Sequence, residues 1–197
     1  MKILHWLVRI LCVVGMSLFF VWVIDQNIAL GGHKTVDYLF GDPGPIVSEL
    51  QPVSRMGGKE YDDRRSFQKM FEDPVYFDLI TPVVYKHANI RLVLNNHTSL
   101  PLRLGVRGAG NDDYTLYDLT EVSKQDGWSV WYVDIDLIKA GWEKGKYRFV
   151  ISVPGLVHGN PEEYVALSSI QMKLYKDPIT FASMKAVIGR ALNSIVK

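Results

Sequence analysis

Aromatic residues cluster between positions 128 and 142 and are the first side chains with a potential binding role. They are Trp128, Trp131, Tyr132 and Trp142. Flat aromatic faces could stack on sugar rings, but the alternative is that these residues fill a core or cover a sheet. The segment 128–135 is apolar on both faces, so at least one face needs cover from another element, a partner or a ligand. We predict a ligand or partner surface that includes Trp128, Val130, Tyr132 and Trp142.

Arginines form a second set, because they fall opposite the core positions of predicted strands. They are Arg91, Arg103, Arg107 and Arg148. If the strands are neighbours, these side chains form one basic face, and Arg91, Arg103 and Arg107 therefore join the predicted surface. The alternative is a solvated face on which each arginine has an Asp or Glu partner.

Metal-binding and catalytic signals are weak. Asn111-Asp112-Asp113 and the pair Asp134 and Asp136 are oxygen-rich, as calcium sites are, but turn chemistry explains the first and a strand end the second. The five histidines are scattered, and HExxH, Walker, GxSxG and dinucleotide motifs are absent. We predict no cofactor and no catalytic residue, with a structural calcium ion and an envelope hydrolase as lesser alternatives.

Composition narrows the class of protein further. The 197 residues are 48% hydrophobic with a net charge of +1, which gives no electrostatic reason to expect a nucleic-acid partner. The one cysteine, Cys12, lies in an apolar run, so the rest of the chain has no disulfide and no thiol nucleophile.

The N-terminal 30 residues are predicted to be a transmembrane anchor. The uncharged run Ile10–Ile24 becomes long enough for a bilayer when it is extended back to Leu4, with Arg9 reaching the headgroups. Basic residues before the run and Asp25 after it place the N-terminus in the cytoplasm and the bulk outside, in the periplasm or at the cell surface. A cleaved signal peptide and a buried soluble helix are the alternatives.

The rest of the chain divides into three parts. Residues 31–58 are rich in Gly and Pro and are predicted to be a mostly irregular spacer with room for a short helix at 35–40. Residues 59–178 are predicted to fold as an antiparallel two-sheet β-sandwich, because apolar residues alternate in many short segments. Within it, the charged segment 59–71 is compatible with a short helix or an edge strand.

Residues 179–197 are predicted to be an amphipathic helix with a purely basic polar face. Three alternatives stay open for this helix: it docks on its own domain, binds a partner, or lies on an anionic membrane surface. The predicted contact residues are Phe181, Met184, Ile188, Leu192 and Ile195.

The order of the β segments resembles that of galactose-binding-like jelly rolls, which are found in many carbohydrate-binding modules. The resemblance rests on the entry strand Asp73–Asp78, the strand Ile90–Leu94 and the closing pair Lys146–Ile151 and Ser169–Leu174. It spans roughly residues 70–176 and implies a mainly β, jelly-roll-like sandwich. It assigns no site residue, because ligand contacts in that group lie on variable loops.

Two hypotheses for function follow. The first is a non-catalytic, membrane-tethered subunit that binds other envelope proteins through its β-sandwich. The alternative is a carbohydrate-binding module at the cell surface, with a glycan as the partner.

Overall fold

The structure is a computed structural model that describes residues 2–42, 44–62, 64–110, 113–157 and 162–180. Within these ranges the chain forms one α-helix, one short 3₁₀-helix (Val53–Arg55) and twelve strands. The α-helix, α1, is Lys2–Ile28. The strands are β1 (His33–Leu39), β2 (Met56–Tyr61), β3 (Ser66–Met70), β4 (Val75–Ile80), β5 (His87–Asn96), β6 (Arg103–Arg107), β7 (Tyr114–Asp118), β8 (Thr120–Gln125), β9 (Trp128–Asp136), β10 (Trp142–Glu143), β11 (Lys146–Ser152) and β12 (Val165–Tyr175).

The N-terminal segment is helical, but the prediction that it anchors the chain in a membrane is wrong. In the part of the chain that the structure describes, no helix combines the length and the apolarity that a membrane crossing requires. The uncharged run Ile10–Ile24 spans only about 23 Å of helix, against a hydrocarbon layer of roughly 30 Å. Its extension to Leu4 takes in the charged Arg9. The prediction of a single membrane pass, with the bulk of the chain outside the cytoplasm, is wrong for the same reason.

The larger sheet has seven strands. Six follow the order β2-β3-β12-β5-β9-β8, and the seventh, β1, pairs with β12. β5 and β12 are its long central pair and run antiparallel from Asn96 beside Val165 to His87 beside Tyr175. The register shifts between Leu167 and Ser169. The bulge leaves the core side of both strands apolar, since Leu94 still faces Leu167 and Leu92 faces Ile170.

The smaller sheet has five strands. Four follow the order β10-β11-β6-β7, and β4 pairs with β11 as well. β11 runs antiparallel to β4 and β6, β5 to β9 and β12, and β7 to β6, which confirms the predicted mainly β, two-sheet sandwich.

The core of the sandwich is built from the inward-facing residues of both sheets. Ile90 and Leu92 of the larger sheet and Phe77 and Phe149 of the smaller sheet are at most 1% exposed. The Phe77 and Phe149 rings stack with their centroids 5.3 Å apart. Tyr147 is fully buried because its hydroxyl is satisfied: it accepts the backbone N–H of Tyr85 at 2.8 Å and donates to the Tyr85 carbonyl at 3.0 Å.

The segments on either side of the sandwich differ in part from their predictions. Residues 33–39, in the predicted spacer, form strand β1, and residues 35–40 therefore form no helix. The predicted helix 179–197 falls almost wholly outside the described residues, together with Phe181, Met184, Ile188, Leu192 and Ile195.

Candidate functional site

Strand β9 divides its side chains between the core and the opposite, outer face of the larger sheet. Val133 and Ile135 are buried, and Ile135 is completely inaccessible. Because side chains alternate along a strand, Trp128, Val130 and Tyr132 lie on the outer face. One face of β9 therefore packs in the core, and the other face belongs to a separate apolar cluster.

That cluster is the apolar floor of the outer face. Trp128, Val93 and Ala166 are buried together, although they come from three different strands. The half-buried residues packed against them are Phe67, Val130 and Tyr164. The rings of Phe67 and Trp128 meet edge to face, with their centroids 5.5 Å apart.

Two hairpin turns meet beside Trp128. One joins β2 to β3, and the other is Asp126-Gly127 between β8 and β9. Asp126 and Gly127 both have positive φ, at 54° and 80°, which suits the tight two-residue hairpin that Asp-Gly favours. Although β12 and β5 separate β3 from β9, Arg64 Nη1 lies 2.5 Å from Asp126 Oδ2. The β2–β3 turn thus reaches across two strands of the outer face.

Asp62 holds this arrangement together. Its Oδ1 accepts the backbone N–H groups of Arg64 at 2.9 Å and Arg65 at 2.7 Å. Its Oδ2 accepts the indole N–H of Trp128 at 2.9 Å. The hydrogen bond from the Arg64 N–H contributes most to lowering the pKa of the Asp62 carboxyl, and together with the other two it outweighs burial and holds that pKa below its usual range. Asp62 therefore stays ionised and ties the turn to the indole.

Arg65 lies on the face of that indole. Its guanidinium carbon is 4.9 Å from the centroid of the Trp128 ring, within the distance of a cation–π interaction. Among the residues that the structure describes, no carboxylate forms an ion pair with Arg65. The aromatic face is thus covered by a cation that has no carboxylate partner within the described ranges.

The turns border an open, polar pocket with an aromatic floor. The cavity has a volume of about 260 Å³. It is lined by Asp62, Arg64, Arg65, Asp126 and Trp128. Two carboxylates, two guanidinium groups and one indole make it suited to a ligand with hydroxyl or anionic groups.

A second aromatic group extends the outer face beyond the pocket. The rings of His97 and Tyr164 stack with their centroids 4.3 Å apart. The Lys69 ammonium lies 4.9 Å from the centroid of the Tyr164 ring and 2.8 Å from Glu60 Oε2. Burial and the nearby Lys69 charge lower the pKa of His97, which favours the neutral imidazole.

The residues predicted for a ligand surface divide between the two sheets. Trp128, Val130, Tyr132 and Arg91 lie on the larger sheet, where Arg91 pairs in register with Tyr132. The others lie on the smaller sheet. There Trp142 Nε1 donates to the Thr81 carbonyl at 3.2 Å, Arg103 Nε lies 2.9 Å from Asp118, and Arg107 Nη1 lies 3.7 Å from Glu143.

The oxygen-rich positions considered for calcium are not gathered into one site in the described ranges. Asp134 accepts a hydrogen bond from Asn89 Nδ2 at 2.8 Å, and Asp136 accepts the backbone N–H of Ile138 at 2.9 Å. Asn111 and Asp112 lie outside the described residues. Within those residues, no three His, Cys, Asp or Glu side chains are grouped as a metal would require.

Sequence reasoning missed the polar half of the pocket. Asp62, Arg64 and Arg65 fall in the segment read as a short helix or an edge strand, but they form the turn between two strands. The Asp126-Gly127 dipeptide is a recognised hairpin signal and could have placed the β8–β9 turn. Nothing local in the sequence indicates that the two turns meet.

Comparison with known proteins gives structural similarity only. No protein-family model matches the chain, and no curated protein matches it in sequence. Solved structures that are similar include the CBM22-1 xylan-binding domain of Xyn10C from Paenibacillus barcinonensis, at 10% identity over 74% of this chain and 97% of that one, with a TM-score of 0.49.

Two further similar structures are also carbohydrate-binding modules. A family 35 module from Clostridium thermocellum is 11% identical over 71% of this chain and 97% of its own, with a TM-score of 0.45. The C-terminal CBM6 of LamC from Zobellia galactanivorans is 10% identical over 73% of this chain and 100% of its own, with a TM-score of 0.41. These similar structures bear the name of the group that the order of the β segments resembles.

Proposed function

We propose that this chain is a carbohydrate-binding β-sandwich that binds a glycan on the outer face of the larger sheet. The observation that carries the proposal is the 260 Å³ pocket in which Asp62, Arg64, Arg65 and Asp126 surround the Trp128 indole. It combines charged hydrogen-bonding groups with an aromatic ring on one surface.

The chemistry of the pocket matches that of a sugar. A sugar ring has hydroxyl groups around its edge, and carboxylates and guanidinium groups bind such hydroxyls as acceptors and donors. Its C–H faces are apolar and fit beside the half-buried Phe67, Val130 and Tyr132. Because Arg65 covers the Trp128 face, the indole acts as the floor of the pocket rather than as an open stacking platform.

The volume of the pocket suits one sugar unit of the glycan rather than several. Its 260 Å³ is just below the roughly 300–1,000 Å³ of typical small-molecule pockets. One sugar unit enters the pocket, and its neighbours lie along the outer face toward Tyr132 and Arg91 in one direction or Tyr164 in the other. The tethered-subunit hypothesis is not retained, because it depended on the anchor that α1 does not provide.

A glycan array probed with the full 197-residue chain tests the proposal, followed by calorimetry on the glycans that bind. Trp128→Phe removes the indole N–H that Asp62 accepts but keeps an aromatic ring. We expect it to weaken binding about tenfold, because Asp62 and the turn that carries Arg65 lose their attachment.

Trp142→Phe is the matched control, since it also removes one indole hydrogen bond, to the Thr81 carbonyl on the smaller sheet. Its affinity should stay within about twofold of the unchanged chain. A silent array with a folded protein, or equal losses in the two variants, would overturn the proposal.

A further inference from the structure

We propose that the glycan carries carboxylate groups and that Arg65 is the residue that binds one of them. This inference rests on the proposed function and narrows it to acidic polysaccharides. It follows from a comparison of the four charged groups that line the pocket, three of which already have their partners.

Asp62 has little capacity left for a ligand. Its two oxygens already accept three hydrogen bonds, from the N–H groups of Arg64 and Arg65 and from the indole of Trp128. Its role is to fix the turn and the ring.

Arg64 and Asp126 neutralise each other. The Arg64 Nη1 to Asp126 Oδ2 distance is 2.5 Å, and the two side chains are 66% and 58% exposed. A neutral sugar could still form hydrogen bonds with them, but neither group presents an uncompensated charge to a ligand.

Arg65 differs from all three. Its guanidinium lies against the Trp128 ring and has no carboxylate partner among the described residues. Asp62 and Arg65 interact electrostatically, but the Asp62 carboxylate is already bound to the turn and the indole. The remaining positive group in the pocket is therefore the one fitted to receive an anion from outside.

The indole beneath Arg65 favours a carboxylate specifically. The guanidinium carbon lies 4.9 Å from the centroid of the Trp128 ring, and this contact restricts the position of the Arg65 side chain. A planar fork of donors matches the two oxygens of a carboxylate, whereas a lysine ammonium would act only as a point charge. The indole is itself fixed by Asp62 and by the buried contacts with Val93 and Ala166, so the fork is held ready for the ligand.

The test compares acidic polysaccharides with the same polymers after their carboxyl groups have been reduced to alcohols. Polygalacturonate and alginate are titrated against the full chain by calorimetry, each beside its carboxyl-reduced form. We expect an acidic polymer to bind about tenfold or more tightly than its reduced form, which is the order of one charge-assisted bidentate contact. That difference should shrink as salt is added.

Arg65 is then tested directly. Arg65→Gln should abolish the preference for the acidic polymer, and Arg65→Lys should keep only part of it because it retains the charge without the fork. Arg103→Gln is the control, since it removes an arginine from the smaller sheet and should leave the preference unchanged. If Arg65→Gln does not fold, the Lys variant and the reduced polymers still decide the question.

The outcomes separate the two proposals. Equal binding of acidic and reduced polymers, or a preference that survives in Arg65→Gln, overturns the inference and leaves carbohydrate binding intact. If no acidic or reduced polymer binds and the glycan array is silent, both proposals fail.

Discussion

On the outer face of the smaller sheet the cations lie beside carboxylates, whereas on the outer face of the larger sheet Arg65 lies on an indole ring. Asp78 of β4 accepts hydrogen bonds from Arg148 Nε at 2.8 Å and Lys146 Nζ at 2.5 Å. Arg103 and Arg107 have Asp118 and Glu143 as partners. The residue types on the two faces are similar, but their pairing differs.

The four cations named on the smaller sheet each have a carboxylate partner among the described residues. Arg148 lies opposite Asp78 in the register of β11 and β4, and the Asp78 side chain is only 14% exposed. Burial acts to raise the pKa of Asp78, but the hydrogen bonds from Arg148 and Lys146 outweigh it and hold the pKa below its usual range. This is the arrangement expected of a structural ion network.

The comparison shows how a structural charge can be distinguished from a functional one in this fold. Where each arginine has a carboxylate partner, removal of a charge should change stability and leave ligand binding alone. Where an arginine is held by an aromatic ring and has no such partner, its removal should change binding instead. Asp78→Asn and Arg103→Gln test the first case, Arg65→Gln tests the second, and two glycine variants test the turn beside the pocket.

Asp78→Asn should have the largest effect on stability. It leaves Arg148 and Lys146 without their shared carboxylate at a site that is mostly shielded from water, and we expect a loss of about 1–3 kcal/mol in the free energy of unfolding. Urea denaturation at neutral pH measures this, and glycan affinity should remain within about twofold. A large loss of affinity with unchanged stability would reverse the roles assigned to the two faces.

The same variant has a defined pH dependence. Because the pKa of Asp78 is lower in the folded chain than in the unfolded chain, its contribution is fully present above the unfolded value of about 3.9. The contribution is lost as the pH falls through the lower, folded pKa, where the carboxylate is protonated in both states. The stability difference between the unchanged chain and Asp78→Asn should therefore narrow in acid, and a constant difference would contradict the ionised pairing.

Gly127→Ala should have a smaller effect on stability but should also weaken binding. Gly127 has a φ of +80°, and an added Cβ would lie 3.3 Å from Asn95 Nδ2. The left-handed conformation costs a residue with a side chain roughly 1–2 kcal/mol. Any relaxation of this turn moves Asp126, which pairs with Arg64 at the pocket, so glycan affinity should fall as well.

Gly58→Ala is the control for that change. It lies in β2, where an added Cβ would have no neighbour within 4 Å and the backbone has no positive φ. Its unfolding free energy and glycan affinity should be close to those of the unchanged chain. If the two alanine variants behave alike, the β8–β9 turn has no special part in the pocket.

The alternation of apolar residues was sufficient to predict the sandwich, and the reason is physical. β5 and β11 each place a regular row of apolar side chains on one side, which identifies a strand with one buried face. The two-sided β9 also predicted that its second face needs cover. The outer face of β9 packs in the apolar cluster around Trp128, and the β2–β3 turn lies over that ring.

The site was less accessible from sequence because it depends on contacts between distant segments. Asp62 and Trp128 are 66 positions apart, and only the strand order of the larger sheet brings their turns together. The arginines presented a different difficulty, because residues that look alike in the sequence lie apart in the structure. Arg91 and Arg103 look equivalent in the sequence, but they lie in different sheets, which local periodicity does not distinguish.

Arg103→Gln should have the smallest effect of all. Its partner Asp118 is 82% exposed and Arg103 itself is 41% exposed, and ion pairs in such surroundings contribute about 0–1 kcal/mol. We therefore expect a change in unfolding free energy near the limit of measurement and no change in the preference for acidic glycans. The contrast with Arg65→Gln matters most, since both variants remove one arginine charge from the same chain. Salt-dependent glycan binding that fell equally in both would mean that net charge, rather than the guanidinium held on Trp128, attracts the ligand.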